Sequence, residues 1–468
     1  MNISNDSFPL PQRLPTRSNY LKVKENLAPI STGALLYLRG GVTHTRDDTD
    51  VEVDFRQESN FFYLSGIEKA GYHILVALAI DKIFLIPPTV SPDEQLWKGI
   101  PDSFTELLKK YDADFVLTEK QLPQFIADID PRVIFTLDTT DVSAIPKEYH
   151  GKLDKSRLRI AINEARLIKL PWEISILRYS ARISSHAHMS LMSLVGSKNK
   201  SLYNEAELEA NFRWTCARNG LARQCYIPIV ASGPRAAVLH YTDNDRLIPD
   251  KSPHTLILVD AGGEYKCYGS DITRTFPLHG KFTEEAKTIY NIVLKAQNAV
   301  LKLIGPGVLW RDMHNLVVRV LCYELVRIGI LVGHAYELMK LGVYRAFYFH
   351  GTGHSVGLDC HDVGGSGIGI LTHQIKKGRK GVTLDLNRAL EKDMVVTVEP
   401  GLYFNDVSID IWTKNPAYAR YFNMEKINQY RVIGGVRIED TILITDDGHE
   451  NFTIAPKEVQ DIEALMKH

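Results

Sequence analysis

Thr255-Leu-Ile-Leu-Val-Asp260-Ala-Gly-Gly263, followed by Gly269-Ser-Asp271-Ile-Thr-Arg-Thr275, reads as an apolar strand, a glycine turn and a second strand, each carrying one carboxylate. Ten residues separate Asp260 from Asp271, which suits two strands that bring both acids to one spot. Three further segments have the same character: His350-Gly-Thr-Gly-His354, Val395-Val-Thr-Val-Glu399-Pro-Gly401 and Gly434-Gly-Val-Arg-Ile-Glu439-Asp440. Ionised carboxylates in such strands are driven toward the core, where an unpaired charge is costly and like charges repel. A bound dication resolves both problems.

Period-two alternation puts Asp271 on one face with Thr273 and Thr275, Glu399 with Thr397, and Glu439 with Arg437 and Thr441. Four carboxylates and one imidazole exceed what a single tetrahedral zinc takes. They suit two hard or borderline cations such as Mn²⁺, held by Asp260, Asp271, His354, Glu399 and Glu439 with bridging carboxylates. A lone acid beside a strand is usually a turn cap or a salt-bridge partner, so the argument rests on the whole set.

The remainder of the chain frames this centre. Its 468 residues are 44% hydrophobic and 24% charged, enough for two or three globular domains. Fifty-five basic against 56 acidic residues leave no basic field for nucleic acid or anionic lipid. Five scattered cysteines without a CxxC pair argue against a disulfide framework or a thiolate zinc site, and point to reduced thiols. Met1 to Pro29 has no apolar signal core, and the longest apolar runs fall far short of a membrane span, so a soluble, cytoplasmic protein is expected.

Residues 30 to 145 alternate strand-like and helix-like pieces, a mixed α/β pattern. The strand-like pieces are Ala34 to Leu38, Phe61 to Leu64, Ile74 to Ile80, Ile83 to Ile86 and Val133 to Leu137, with a hairpin turn at Asp81-Lys82. Long helices are expected from Pro171 to Val195, after the N-cap Thr283, and from Arg311 to Ile328. Beyond Ile328, strands and turns predominate up to Thr445, and the basic run Lys376 to Lys380 reads as a solvated loop.

Taken in order, these segments resemble the metal motifs of the creatinase/aminopeptidase, or pita-bread, metallopeptidases, especially the Xaa-Pro branch of prolidase and aminopeptidase P. Ala165-Arg-Leu-Ile-Lys-Leu-Pro-Trp-Glu-Ile174 and His350 to Asp362 carry the match, and Phe55 to Gly66 resembles the branch's N-terminal domain. The resemblance implies an α+β chain: a mixed α/β creatinase-like domain over residues 1–160 and a pita-bread catalytic domain over 161–468. It implies that Asp260 binds one metal, that Asp271 and Glu439 bridge two, and that His354 and Glu399 complete the second site. Glu399 would also shuttle the proton. His240, His350 and His361 match active-site histidines, and Arg437 matches the arginine beside the last ligand. Each has a plainer reading on its own: His240 as a strand cap, His350 bonded to its glycine turn, His361 in a loop, Arg437 neutralising buried acid.

The implied enzyme is a metal-dependent exopeptidase that cuts Xaa-Pro bonds in small peptides, as a homodimer. Trp97 and the Phe55 to Tyr63 segment are candidates for closing the partner's site. The long segment Asp406 to Tyr430 tilts the reading toward a dipeptidase, with an aminopeptidase acting on longer peptides as the alternative. A dipeptidase needs an anchor for the substrate carboxylate, for which Arg388, near Asp385, is the nearest candidate. Two rivals remain: Gly353-His-Ser355-Val-Gly357 spells the nucleophile elbow of a serine hydrolase, with His449 downstream, and a non-catalytic relative would keep the fold alone. The intact ligand set speaks against the second.

Overall fold

The computed structural model describes residues 13–197, 204–364 and 388–467. Lys376 to Lys380 and Asp385 lie outside the described residues. The chain divides into two compact units, Met1–Trp172 and Glu173–His468.

The first unit is built on a six-stranded sheet in the order β4-β3-β2-β1-β5-β6. Its strands are β1 (Ala34–Arg39), β2 (His73–Ala77), β3 (Lys82–Ile86), β4 (Phe115–Val116), β5 (Val133–Phe135) and β6 (Leu153–Asp154). The β2–β3 hairpin closes through Asp81 in the left-handed region at φ 53°, and β1 pairs parallel to β5. Leu35, Tyr37, Leu75, Phe84 and Ile86 fill one face with Leu122, Ile126 and Ile134. Helices α1 (Thr16–Leu27), α2 (Ser59–Ser65), α3 (Pro92–Lys98), α4 (Phe104–Lys110), α5 (Leu122–Ile129) and α6 (Arg157–Leu167) surround it. Helix α6 spans the expected 160/161 boundary and packs on α1, where Lys22 donates to Ala165 O at 2.7 Å and Asn26 to Ala161 O at 3.2 Å.

Phe61 to Leu64, expected as a strand, is the body of α2. A run of four apolar residues fits either element; here the ends decide. The Glu58 carboxylate accepts from Phe61 N–H at 2.7 Å, and Gly66 ends the helix at φ 68°. Phe61, Phe62 and Tyr63 are thereby buried in the core of this unit, which removes them as candidates for reaching another subunit.

The second unit opens with α7 (Pro171–Gly196) and α8 (Glu205–Ala217) and then lays down short antiparallel ladders. The first sheet orders β12 (Thr273–Pro277), β9 (Leu256–Asp260) and β8 (Ile229–Ser232), while β10 (Gly263–Tyr265) and β11 (Tyr268–Gly269) form a hairpin beside β7 (Arg223–Gln224). After α9 (Glu284–Leu301) and α10 (Trp310–Arg327) come β13 (Val395–Val398) and β14 (Gly401–Tyr403), which pair with β16 (Asp440–Ile444) and β15 (Gly435–Arg437); β17 (His449–Asn451) flanks β16. Thr283 caps α9 as expected, accepting from Ala286 N–H at 3.3 Å. The region after Ile328 is less strand-rich than expected: α11 (Ala335–Leu341), α12 (Asp406–Thr413) and α13 (Met424–Arg431) lie within it. Asn405 and Asn423 cap the last two, each accepting from the amide three residues on.

A single bridge between Thr273 and Glu439 joins the ladder of β9 and β12 to that of β13 and β16, with Glu439 N–H donating to Thr273 O at 3.1 Å. The backbones crowd around this seam. A Cβ on Gly262 would fall 1.8 Å from Ser270 O, and one on Gly353 would fall 2.0 Å from Thr397 O, so both positions require glycine. No helix among the described residues is long and apolar enough to cross a membrane.

Candidate metal centre

Strand ends aim the acids at the seam. Asp260 is the last residue of β9 and pairs with Thr273 of β12, just beyond Asp271. Glu399 and Glu439 occupy the gap between the Val398–Asp440 pair of one ladder and the Gly401–Arg437 pair of the next. His354 comes from the glycine turn, tied to β13 by Thr397 N–H donating to His354 O at 2.8 Å. The two strands expected to bring Asp260 and Asp271 together are β9 and β12, with the β10–β11 hairpin as an added excursion between the two acids.

The five residues meet. Ligand atoms of Asp260, Asp271 and Glu439 lie within 4.8 Å of one another, as do those of His354, Glu399 and Glu439. His354 Nε2 stands 3.3 Å from Asp271 Oδ2 and 3.6 Å from Glu399 Oε1. His350 Nδ1 is 3.6 Å from Glu399 Oε2, and the His354 and His361 rings are 4.0 Å apart. His240 sits on the exposed turn after β8.

The charges do not balance. Burial raises the Asp260 carboxyl despite Arg437. Burial, then Asp271 and Glu399, raise Glu439 well above its ordinary range. Burial raises Glu399 to about 7. Against the same burial, the hydrogen bond to His354 pulls Asp271 below the usual carboxylate range, and Asp271 in turn lifts His354 to about 9. A set of buried acids this short of positive charge, with an imidazole among them, fits two divalent cations at Asp260, Asp271, His354, Glu399 and Glu439.

Arg437 serves as support. Its guanidinium donates to Asp260 Oδ2 at 2.6 Å, to Thr273 Oγ1 at 3.0 Å and to Tyr403 OH at 3.0 Å. Tyr403 OH also meets His350 Nε2 at 2.9 Å, which ties the arginine to a histidine held neutral by burial and by Arg437.

Three residues that the sequence did not single out belong here. Tyr226 OH lies 2.5 Å from Asp260 Oδ1 and 2.7 Å from Asp271 Oδ1; a short strand-edge segment gave no sign of it. Tyr403 follows Glu399-Pro-Gly401 by two residues and could have been found from that motif. Cys360, set aside among scattered thiols, joins Asp271, His354 and His361 in one cluster.

Of the two remaining candidates, one is excluded and one is found in an ion pair. Ser355 is fully buried, its hydroxyl donates to Val363 O at 2.6 Å, and no helix follows within 356–364, so the elbow reading is excluded. The Arg388 guanidinium meets Glu391 at 2.7 Å, at the edge of the described residues.

Residues 175–446 match metallopeptidase family M24, and residues 18–133 match the aminopeptidase P N-terminal domain. This chain belongs to metallopeptidase family M24, with a pita-bread catalytic domain behind an aminopeptidase P-type N-terminal domain. It is a metal-dependent Xaa-Pro peptidase, similar to a probable Xaa-Pro aminopeptidase of Coccidioides posadasii (38% identical over 441 residues, 92% of each chain) and to one of Paracoccidioides brasiliensis (37% over 474 residues, 99% of each). Among solved structures, proline aminopeptidase P II from Yersinia pestis matches with a TM-score of 0.80 at 30% identity, covering 97% of this chain and 99% of that one. A zinc-substituted E. coli aminopeptidase P in complex with product matches with a TM-score of 0.80 at 29% identity, covering 97% and 98%. The lean toward a dipeptidase finds no support in these relatives; the alternative does.

Proposed function

We propose that this chain is an Xaa-Pro aminopeptidase, releasing the first residue of peptides whose second residue is proline. The observation that carries the reading is the cluster of three buried carboxylates, the half-buried Glu399 and His354, left without matching positive charge. The aminopeptidase names of the relatives support the choice over a dipeptidase. Asp260, Asp271, His354, Glu399 and Glu439 are the proposed ligands of two divalent cations, with Mn²⁺ suited to so oxygen-rich a set. Bound there, such cations would lower the pKa of a water and polarise the scissile carbonyl.

The protein's own groups supply the rest. Glu399, in the centre beside His350 and His354, is placed to take a proton from the attacking water and hand it to the departing proline nitrogen. His350 is uncharged near neutrality, its value lowered to about 3 by burial. It and His361 are the hydrogen-bonding groups that orient substrate and stabilise the tetrahedral oxygen, together with His240. Arg437 fixes Asp260 and, through Tyr403, the His350 ring. Selectivity for proline follows from shape, because its tertiary amide offers no N–H and its ring fills a restricted pocket.

A homodimer and a cytoplasmic location complete the proposal. Leu96, Trp97 and Ile100 stand 84–89% exposed around the end of α3, an apolar patch that supports a subunit contact. The deciding experiment compares Ala-Pro with Ala-Pro-Ala as substrates of the Mn²⁺-loaded protein, with a chelated control. Release of alanine from the tripeptide with Ala-Pro spared is the expected result; preference for the dipeptide would overturn it.

A further inference from the structure

Cys360 lies one residue before His361, on the stretch that leaves the glycine turn, and its thiol donates to Asp271 Oδ2 at 2.9 Å. That same oxygen is 3.3 Å from His354 Nε2. Donor atoms of Asp271, His354, Cys360 and His361 all lie within 4.8 Å of one another. With zinc-to-sulfur bonds of about 2.3 Å and zinc-to-nitrogen or oxygen bonds of about 2.0–2.2 Å, tetrahedral neighbours sit roughly 3.3–3.7 Å apart. The Cys360 Sγ to Asp271 Oδ2 and Asp271 Oδ2 to His354 Nε2 separations, 2.9 and 3.3 Å, are close enough for three donors to one ion. The opposite group, Asp260, Asp271 and Glu439, offers oxygen alone. The two halves of the centre thus differ in softness.

We propose that Cys360 is a thiolate ligand to the cation on the His354 side, an inference that rests on the metallopeptidase reading above. When a dication enters, the Cys360 S–H bond breaks, its proton passes to solvent, and the sulfur electron pair joins Asp271, His354, Glu399 and Glu439 in holding the ion. A thiolate favours zinc or cobalt over manganese, whereas the oxygen-only half suits Mn²⁺. The centre is then asymmetric, with a softer ion on the His354 side and a harder one beside Asp260. Cys225 provides an internal control. It is in hydrogen-bond contact with Cys360, but its sulfur sits over Gly269, 1.9 Å from where a Cβ there would fall, and it is outside the ligand cluster.

Cobalt distinguishes the cases without recourse to activity. The full chain, stripped with a chelator, is titrated with Co²⁺ and followed by absorption. Visible d–d bands report that Co²⁺ has bound, and a near-ultraviolet sulfur-to-cobalt charge-transfer band reports a thiolate bond. The wild type is expected to show both, Cys360→Val to lose only the charge-transfer band, and Cys225→Ser to keep both. The ratio of zinc to manganese affinity should fall about tenfold or more in Cys360→Val. Visible bands without a charge-transfer band in the wild type would overturn the thiolate ligand and leave the metallopeptidase reading standing. Absence of any cobalt spectrum in a folded wild-type chain would overturn the metal centre itself, and this inference with it. Should Cys360→Val fail to fold, the wild-type spectrum decides alone.

Discussion

Glu439 and Asp440 are consecutive, yet they bury their charge in opposite ways. Asp440 is fully buried with its own cations: Arg274, equally buried, at 2.7 Å, and Lys457 at 2.6 Å. Burial would raise its carboxyl, but the two bases outweigh it and hold it below its ordinary range. Glu439 meets Thr273 Oγ1 at 2.7 Å and otherwise faces Asp260, Asp271 and Glu399, which with burial push it well up. An acid with a purely architectural task is neutralised from within the chain. An acid left uncompensated awaits a partner from solution.

The sharpest way to break this contrast is E439Q, which keeps the shape and removes the charge. Loss of a bridging ligand should forfeit several kcal/mol of transition-state stabilisation, more than about a thousandfold in kcat/KM, and bound metal measured by elemental analysis should fall with it. Wild-type activity and metal content in E439Q would end the assignment. The mirror experiment is R274M, which takes one of its two cations from Asp440 and leaves Lys457 in place. A urea titration should show a loss below the roughly 3–5 kcal/mol of a fully broken buried pair; an unchanged midpoint would mean the pair is idle.

The next effect is metal on stability. Cation at a hundred times its Kd should stabilise the wild type by about 2.7 kcal/mol in thermal or urea unfolding, reversibly with chelator. E439Q should gain much less, and equal gains in both would place the cation elsewhere. The smallest effect belongs to a half-buried pair in the first unit. Burial raises Asp114, but its hydrogen bond with Arg17 at 2.7 Å prevails and lowers the carboxyl to about 2. A folded pKa below the unfolded value of about 3.9 means stability that is present above pH 4 and lost as pH falls toward 2. D114N should flatten part of that acid limb, and an identical pH profile would show that Arg17 contributes nothing.

The sequence made the acids legible because each interrupts an apolar strand, where only a functional or paired charge survives. The same argument could not see Arg274 as the partner of Asp440, because the two come from strands 166 residues apart in sequence. Tyr226 and Cys360 were invisible for a similar reason: neither breaks a local pattern, and only the fold brings them to Asp271. Phe61 to Leu64 was misread because its apolar run fits a strand or a helix equally, and the decision lay with Glu58 and Gly66. Helices α12 and α13 escaped because each is only eight residues long and buries only one or two of them, Ile409 in the first and Ile427 with Tyr430 in the second, too few to repeat at helical spacing.

The bridge between Thr273 and Glu439 also sets a timetable. Asp260 and Asp271 leave the ribosome long before Glu399 and Glu439, and at about 5–20 residues per second the growing chain carries its first two acids for roughly ten to thirty seconds without the seam that completes them. The cation site cannot close during that interval, however much metal the surroundings offer. Loading is therefore the last event in the maturation of this unit, after the C-terminal strands have been synthesised and paired.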